Sequence, residues 1–133
     1  MEDCVFCKII KGEIPAVKVW EDENYLAFLS IAPINPGHTL VIPKKHTDYF
    51  FDLDDKDLGE LMVVCKPIAA AIKKAFKPKL GKVGVMVSGD GVAHTHIHLI
   101  PMDGGHDLTF DRQKPNTPAE EIKANAEKIK ENL

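Results

Sequence analysis

The segment His94-Thr95-His96-Ile97-His98-Leu99-Ile100-Pro101 carries three histidines at i, i+2 and i+4. In an extended backbone that spacing puts all three on one face, with successive rings roughly 6.6 Å apart along the chain. Thr95, Ile97 and Leu99 then point to the other side. Two chemistries fit. Imidazole can attack an electrophile because much of it is unprotonated near neutral pH, and it can also bind zinc. The cluster therefore suits either a small anion or a three-histidine metal centre. Half of the six histidines fall in this short stretch. An unpartnered imidazole cluster is a costly way to fill a buried surface, which favours a functional reading. A second pattern is Cys4-Val5-Phe6-Cys7, a C-x-x-C with metal-ligand spacing. Thioredoxin-like redox use does not fit, because no strand and helix flank it as that chemistry requires. His38 and His106 are singletons without a site assignment, His106 in a Gly-rich turn that predicts exposure.

Short runs rich in Val, Trp, Tyr, Phe and Ile at 17–21 and 25–31 predict a hairpin. Pro33, Pro36 and Gly37 interrupt the pattern before a third strand, His38 to Ile42, that Pro43 ends. Acidic residues at 54–57 start a helix whose apolar spacing from Leu58 through Phe76 predicts one long amphipathic element. Pro67 inside it predicts a kink or a break near Lys66. An extended run over 83–87 and another from about Val92 to Ile100 predict a second hairpin. Thr117 as N-cap, Pro118 and Glu120 then open a charged C-terminal helix. The expected fold is α+β: an antiparallel sheet meander with one long helix and a C-terminal helix, the helices covering one face.

Length and composition agree with one domain over residues 1–133, whose last stretch, 103–133, holds the C-terminal helix and tail. The chain has 133 residues, 44% hydrophobic and 28% charged, with a net charge of −3. No dense Lys/Arg stripe interleaved with aromatics appears, so polymeric nucleic acid is not an expected partner. No apolar run reaches the roughly 20 residues of a membrane span, and the N-terminus lacks a signal-peptide pattern. A cytoplasmic location is expected. The odd set Cys4, Cys7 and Cys65 points to free or metal-bound thiols there.

The triad resembles the motif of the histidine-triad (HIT) superfamily, His-φ-His-φ-His-φ-φ with φ apolar, and Thr95 is a mild departure. The similarity extends upstream through Cys4 to Ile10, Gly12-Glu13-Ile14-Pro15, Tyr25-Leu26-Ala27-Phe28, and Pro33 to His46 with its Pro36-to-Lys44 core. It covers roughly residues 4 to 102, and the combination is specific. The resemblance implies a two-fold dimer and a phosphoramidase-like nucleotide hydrolase or transferase acting at the α-phosphate of a purine nucleotide. His96 would be the nucleophile, with its proton held by the backbone carbonyl at His98, while the His98 side chain would contact the phosphate. Nucleotide contacts would come from Phe6, Ile9 and Phe28 around the base, Ser30 near the ribose, and Ser88, Asp90 and His98 near the phosphate. Three departures alter this pocket. Asp90 and Gly91 stand where the family usually has Gln and Ser or Thr, and Ser30 stands where an acid commonly binds ribose. They keep open an alternative, a zinc-stabilised nucleotide-binding or interaction module with little turnover. In metal-bearing relatives the Cys pair is joined by two histidines, which implies one structural zinc on Cys4, Cys7, His46 and His94.

Overall fold

The computed structural model describes residues 3–133. The sheet has five strands: β1 (Lys18–Glu21), β2 (Tyr25–Leu29), β3 (Thr39–Pro43), β4 (Lys82–Met86) and β5 (Ile97–Met102). All neighbours are antiparallel in the order β1-β2-β3-β5-β4, so β5 inserts beside β3 and leaves β4 at the edge. This insertion aligns Leu40 with His98 and Thr39 with Leu99, and it brings the triad next to the loop before β3.

Every residue of β2 is buried, which a strand solvated on one face would not show. Tyr25, Ala27 and Leu29 face one apolar cluster, while Leu26 and Phe28 face another. The first cluster is closed by α2 (Asp55–Phe76) and α3 (Ala119–Glu131) through residues such as Leu61, Ile68, Ile72, Ile122 and Ile129. The second is closed by α1 (Val5–Ile10), which lays Phe6 and Ile9 over Leu26, Phe28, Leu40 and Ile42. Helices therefore cover both faces, not one. Six residues of helix at the N-terminus carried too short a pattern to reveal this.

Three local expectations change. The helix α2 runs through Pro67 without a break, because buried Leu61, Cys65, Ile68, Ala71 and Ile72 anchor both sides of the missing donor. Its start agrees with the sequence: Asp54 is the N-cap, and its carboxylate accepts the Asp57 amide at 2.8 Å. Thr117, by contrast, does not cap α3. Its hydroxyl donates to the Lys114 carbonyl at 2.7 Å, closing the preceding turn, and the helix opens after Pro118. The last strand starts at Ile97 and not near Val92. Ahead of it, the Thr95 amide donates to the Thr47 carbonyl and the His94 amide to the Val92 carbonyl, so this backbone turns tightly and belongs to no ladder.

Gly37 has φ +97°, and a Cβ there would lie 2.6 Å from the Phe76 ring. Only glycine lets the loop turn against α2 at this distance and enter β3 with His38 pointing inward.

Candidate functional site

Because His94 and His96 precede β5 while His98 lies within it, the three rings do not share one strand face around one ion. They split between two sites. Among the described residues, the group able to hold a metal is Cys4, Cys7, His46 and His94, whose ligand atoms all lie within 4.8 Å of one another. The Cys4 Sγ is 3.3 Å from His94 Nδ1, and Cys7 Sγ is 3.3 Å from His46 Nδ1 and 3.6 Å from His94 Nδ1. His94 Nε2 donates to the Pro43 carbonyl at 2.8 Å. That bond places the ring proton on Nε2 and turns the Nδ1 lone pair toward the sulfurs, the usual orientation of a metal-binding imidazole. Burial, and then the adjacent Cys4 sulfur, pushes the Cys7 thiol above its ordinary value. Two thiolates here need a cation, and the donor set fits a tetrahedral Cys2His2 metal.

His96 and His98 turn the other way, onto a cavity of about 490 Å³. Their ring centroids are 4.9 Å apart. The Nδ1–H of His96 donates to the His94 carbonyl at 2.7 Å. This corrects the expectation that the carbonyl at His98 would hold the proton: within two residues the chain bends so that the ring folds back on its own preceding turn. The Nε2 of His96 is thereby left with its lone pair. Phe6 packs edge-on against the His96 ring at 5.2 Å and blocks rotation away from the cavity.

His98 is set by a chain that sequence reasoning did not assign to the site. The Ile34 amide donates to His38 Nδ1 at 3.0 Å, so His38 carries its proton on Nε2. His38 Nε2 lies 2.9 Å from His98 Nδ1 and donates to it. His98 therefore presents Nε2–H, which is buried and has no hydrogen-bond partner among the described residues. A buried donor of this kind is stabilised by an acceptor such as a phosphoryl oxygen. Burial, followed by the neighbouring His98 ring, pushes His38 down to about 3. Burial, followed by the His96 ring, pushes His98 down to about 4. Both rings stay neutral at physiological pH, and the relay keeps its direction.

The cavity wall opposite the histidines is apolar. Phe6 and Ile9 come from α1, Ile14 from the turn after it, and Phe28 and Leu40 from the sheet. Ser30 is buried and lines the cavity, and its Oγ accepts the Ala32 amide at 3.2 Å. Asp90 and Gly91 stand on the exposed rim. Ser88 does not reach the cavity lining: it is exposed, and its Oγ accepts the Asp90 amide at 3.2 Å while Asp90 Oδ1 accepts the Gly91 amide at 2.9 Å. Phe110 and Gln113 also line the cavity, Phe110 with its ring 5.0 Å from that of His98. Nothing in the local sequence pattern marks these two, since they reach the cavity from an irregular segment after β5. His106 is exposed and apart from the site.

An antiparallel α+β sheet that offers alternating histidines to a cavity at its centre is the architecture of the histidine-triad class. The chain belongs to the HIT family, whose domain model matches residues 11–105. It is 38% identical over 128 residues to the adenosine 5′-monophosphoramidase of Schizosaccharomyces pombe, covering 95% of each chain. Among solved structures it resembles a HIT-like protein from Bartonella henselae, with a TM-score of 0.85 and 37% identity over 100% of this chain and 98% of that one. A zinc-bound histidine-triad family protein from Mycobacterium smegmatis gives a TM-score of 0.80 and 29% identity, covering 98% and 93%.

The lowered His38 and His98 values set an acid limit. An unfolded chain protonates its histidines near pH 6.5, while the folded rings resist until about 3 and 4. As pH falls below about 6.5 the unfolded state binds the protons first, so the stability held by the neutral rings is complete above that value and drains away toward pH 3. Urea midpoints should fall steadily between pH 7 and 4.5. In the folded protein, NMR signals of the His38 and His98 rings should not titrate above pH 5, and titration of either ring near 6.5 would contradict the neutral relay.

Proposed function

We propose that this chain hydrolyses a purine nucleoside 5′-phosphoramidate or a related nucleotidyl conjugate at the α-phosphate. The reading rests on His96, whose Nδ1–H is tied to the His94 carbonyl so that Nε2 faces the cavity as a nucleophile. The base would lie against Phe6, Ile9 and Phe28, where a flat apolar ring replaces water. The phosphate would sit between the two catalytic histidines and accept a hydrogen bond from His98 Nε2–H. Attack by His96 Nε2 forms a phosphorus–nitrogen bond, and the bond to the leaving amine breaks as the amine takes up a proton. Water then cleaves the nucleotidyl-histidine, freeing His96 and releasing the nucleoside monophosphate. The name of the phosphoramidase relative supports the substrate class. Ser30 takes the ribose end, and Asp90 and Gly91 border the phosphate end.

Zinc fits the Cys4, Cys7, His46 and His94 set, as the zinc-bound relative supports. It would supply folding energy in a closed site and take no part in bond making. By tying Cys4 and Cys7 to His94, it would fix α1, and with it Phe6 and Ile9, beside the nucleophile. A cytoplasmic setting suits the three free thiols. No helix among the described residues is long and apolar enough to cross a membrane.

The protein would act as a two-fold dimer joined through α2 and the edge strand β4. Val63 on α2 is 69% exposed and Val85 on β4 is 48% exposed, while Met62 and Val87 are exposed nearby. Such an apolar surface beside an unpaired strand edge favours self-association. Light scattering should give twice the chain mass at micromolar concentration, and a chain-sized mass throughout would remove the dimer.

Substituting His96→Ala should lower turnover of an adenosine phosphoramidate by orders of magnitude and change AMP affinity little. Rapid quench of wild type should show an acid-labile mass of one nucleotidyl group that the variant lacks. Full activity of His96→Ala would refute the mechanism. A protein that is thermally stabilised by AMP yet yields no product would instead be the binding module.

Metal analysis after dialysis should find close to one zinc per chain, and Cys4→Ala should lower Tm while His96 keeps its reactivity. Absence of metal together with an unchanged Tm would remove the zinc.

A further inference from the structure

Asp107 lies outside the cavity and is 3% exposed. Its Oδ2 accepts hydrogen bonds from the Asp103 amide at 2.7 Å, Asn35 Nδ2 at 2.9 Å and the Gly104 amide at 3.0 Å. The Arg112 guanidinium stands 3.7 Å from Oδ1. Burial works against the charge, but the amides of Asp103 and Gly104, the Asn35 side chain and Arg112 outweigh it and hold the carboxyl below its ordinary range. One carboxylate thus fastens three pieces of chain together.

Each piece ends on His98. The first is the loop before β3: Asn35 gives its side-chain amide to Asp107 and to the Pro101 carbonyl at 2.8 Å. Its own carbonyl accepts the His38 amide at 3.1 Å, and the adjacent Ile34 amide fixes the His38 tautomer. The second is the end of β5, which holds His98 itself and is followed by the Asp103 and Gly104 amides that donate to Asp107. The third is the turn at Phe110–Arg112, which sets the Phe110 ring against His98. Gln113 and Lys114 then secure this turn to the first loop: Gln113 Nε2 donates to the Ala32 carbonyl at 2.9 Å, and the Lys114 amide to that of Pro33 at 3.0 Å. The His98 ring is gripped between His38 and Phe110, and the common anchor of both is Asp107.

We propose that Asp107 is a positioning residue for the reaction, holding His98 through the His38 loop and the Phe110 turn so that Nε2–H meets the phosphoryl group as charge develops there. This rests on the phosphoramidate reading. Because Asp107 touches no substrate, its effect should fall on kcat, where a small misplacement of a donor is felt most, and not on the apolar base wall that dominates binding.

The test compares wild type with Asp107→Asn, which keeps the size but removes the charge and one acceptor. Turnover of adenosine phosphoramidate should fall on the order of tenfold to a hundredfold in kcat with KM changed less than about twofold. In the substrate-free protein, the NMR resonance of the His38 Nε2–H proton that bonds His98 should shift or broaden. If Asp107→Asn does not fold, Asn35→Ala cuts the same link from the loop side and leaves the 103–107 turn in place. It should show the same two effects. A lowered Tm with unchanged kcat and an unchanged His38 resonance would make Asp107 purely structural and overturn the proposal. Should wild type itself fail to turn over the phosphoramidate, the proposed substrate class falls, while the His38 resonance still decides whether Asp107 positions the ring pair.

Discussion

The amide of Ile34 decides the chemistry of the cavity. By donating to His38 Nδ1 it forces the His38 proton onto Nε2, which forces His98 to accept on Nδ1 and to expose Nε2–H. A backbone N–H cannot act as an acceptor, so the direction of the chain cannot reverse. Beside it, the His94 carbonyl can only accept, which leaves His96 with the opposite polarity: proton inward, lone pair outward. Two identical side chains with centroids 4.9 Å apart thus acquire complementary roles from two fixed backbone groups. Burial reinforces the assignment, because a protonated His38 would lose its acceptor role and carry a charge among apolar neighbours.

Rigid side chains are needed around such a pair, and the fold supplies them from two sides. On the His96 side, α1 is held by contacts of its cysteines with His46 and His94, and Phe6 from this helix meets both the His94 and His96 rings edge-on. On the His98 side, the Asp107 network holds Phe110. Each clamp joins chain segments far apart in sequence: Cys4 with His94, and Asn35 with Asp107. The insertion of β5 between β3 and β4 makes both possible, since it sets the triad beside the two loops that flank β3.

Much of this was legible where the signal is local. The first three strands, the long helix with its acidic start at 54–57, and the His96 and His98 candidates followed from periodicity, helix-start chemistry or motif spacing, while the Cys4, Cys7, His46 and His94 group came from the family resemblance. What failed was non-local. The alternation of His94, His96 and His98 reads as strand, yet two of the three lie ahead of the ladder because Thr95 bonds to Thr47 and not to a neighbouring strand. His38 looked like an isolated strand residue because its partner is 60 positions away and meets it only through the β3–β5 pairing. Ser88 is the local exception: it stands exposed outside the cavity lining, where its hydroxyl accepts the Asp90 amide two residues on. Phe110 and Gln113 had no pattern at all, since a segment shaped by tertiary contacts need not show periodicity.

The division of the triad also explains why its first member tolerates a different environment from the other two. His94 is fully buried and donates to Pro43 at the end of β3, so its ring is unavailable to the cavity. Its carbonyl, however, is the acceptor that orients His96. One residue therefore serves both sites, with its side chain in the cysteine cluster and its backbone at the nucleophile. A movement of that cluster would be carried to His96 Nδ1 through the His94 backbone and its hydrogen bond, and to the cavity wall through Cys7 and the helix that carries Phe6 and Ile9. The cysteine cluster is thus coupled to the orientation of His96 even though none of its ligand atoms needs to reach the cavity.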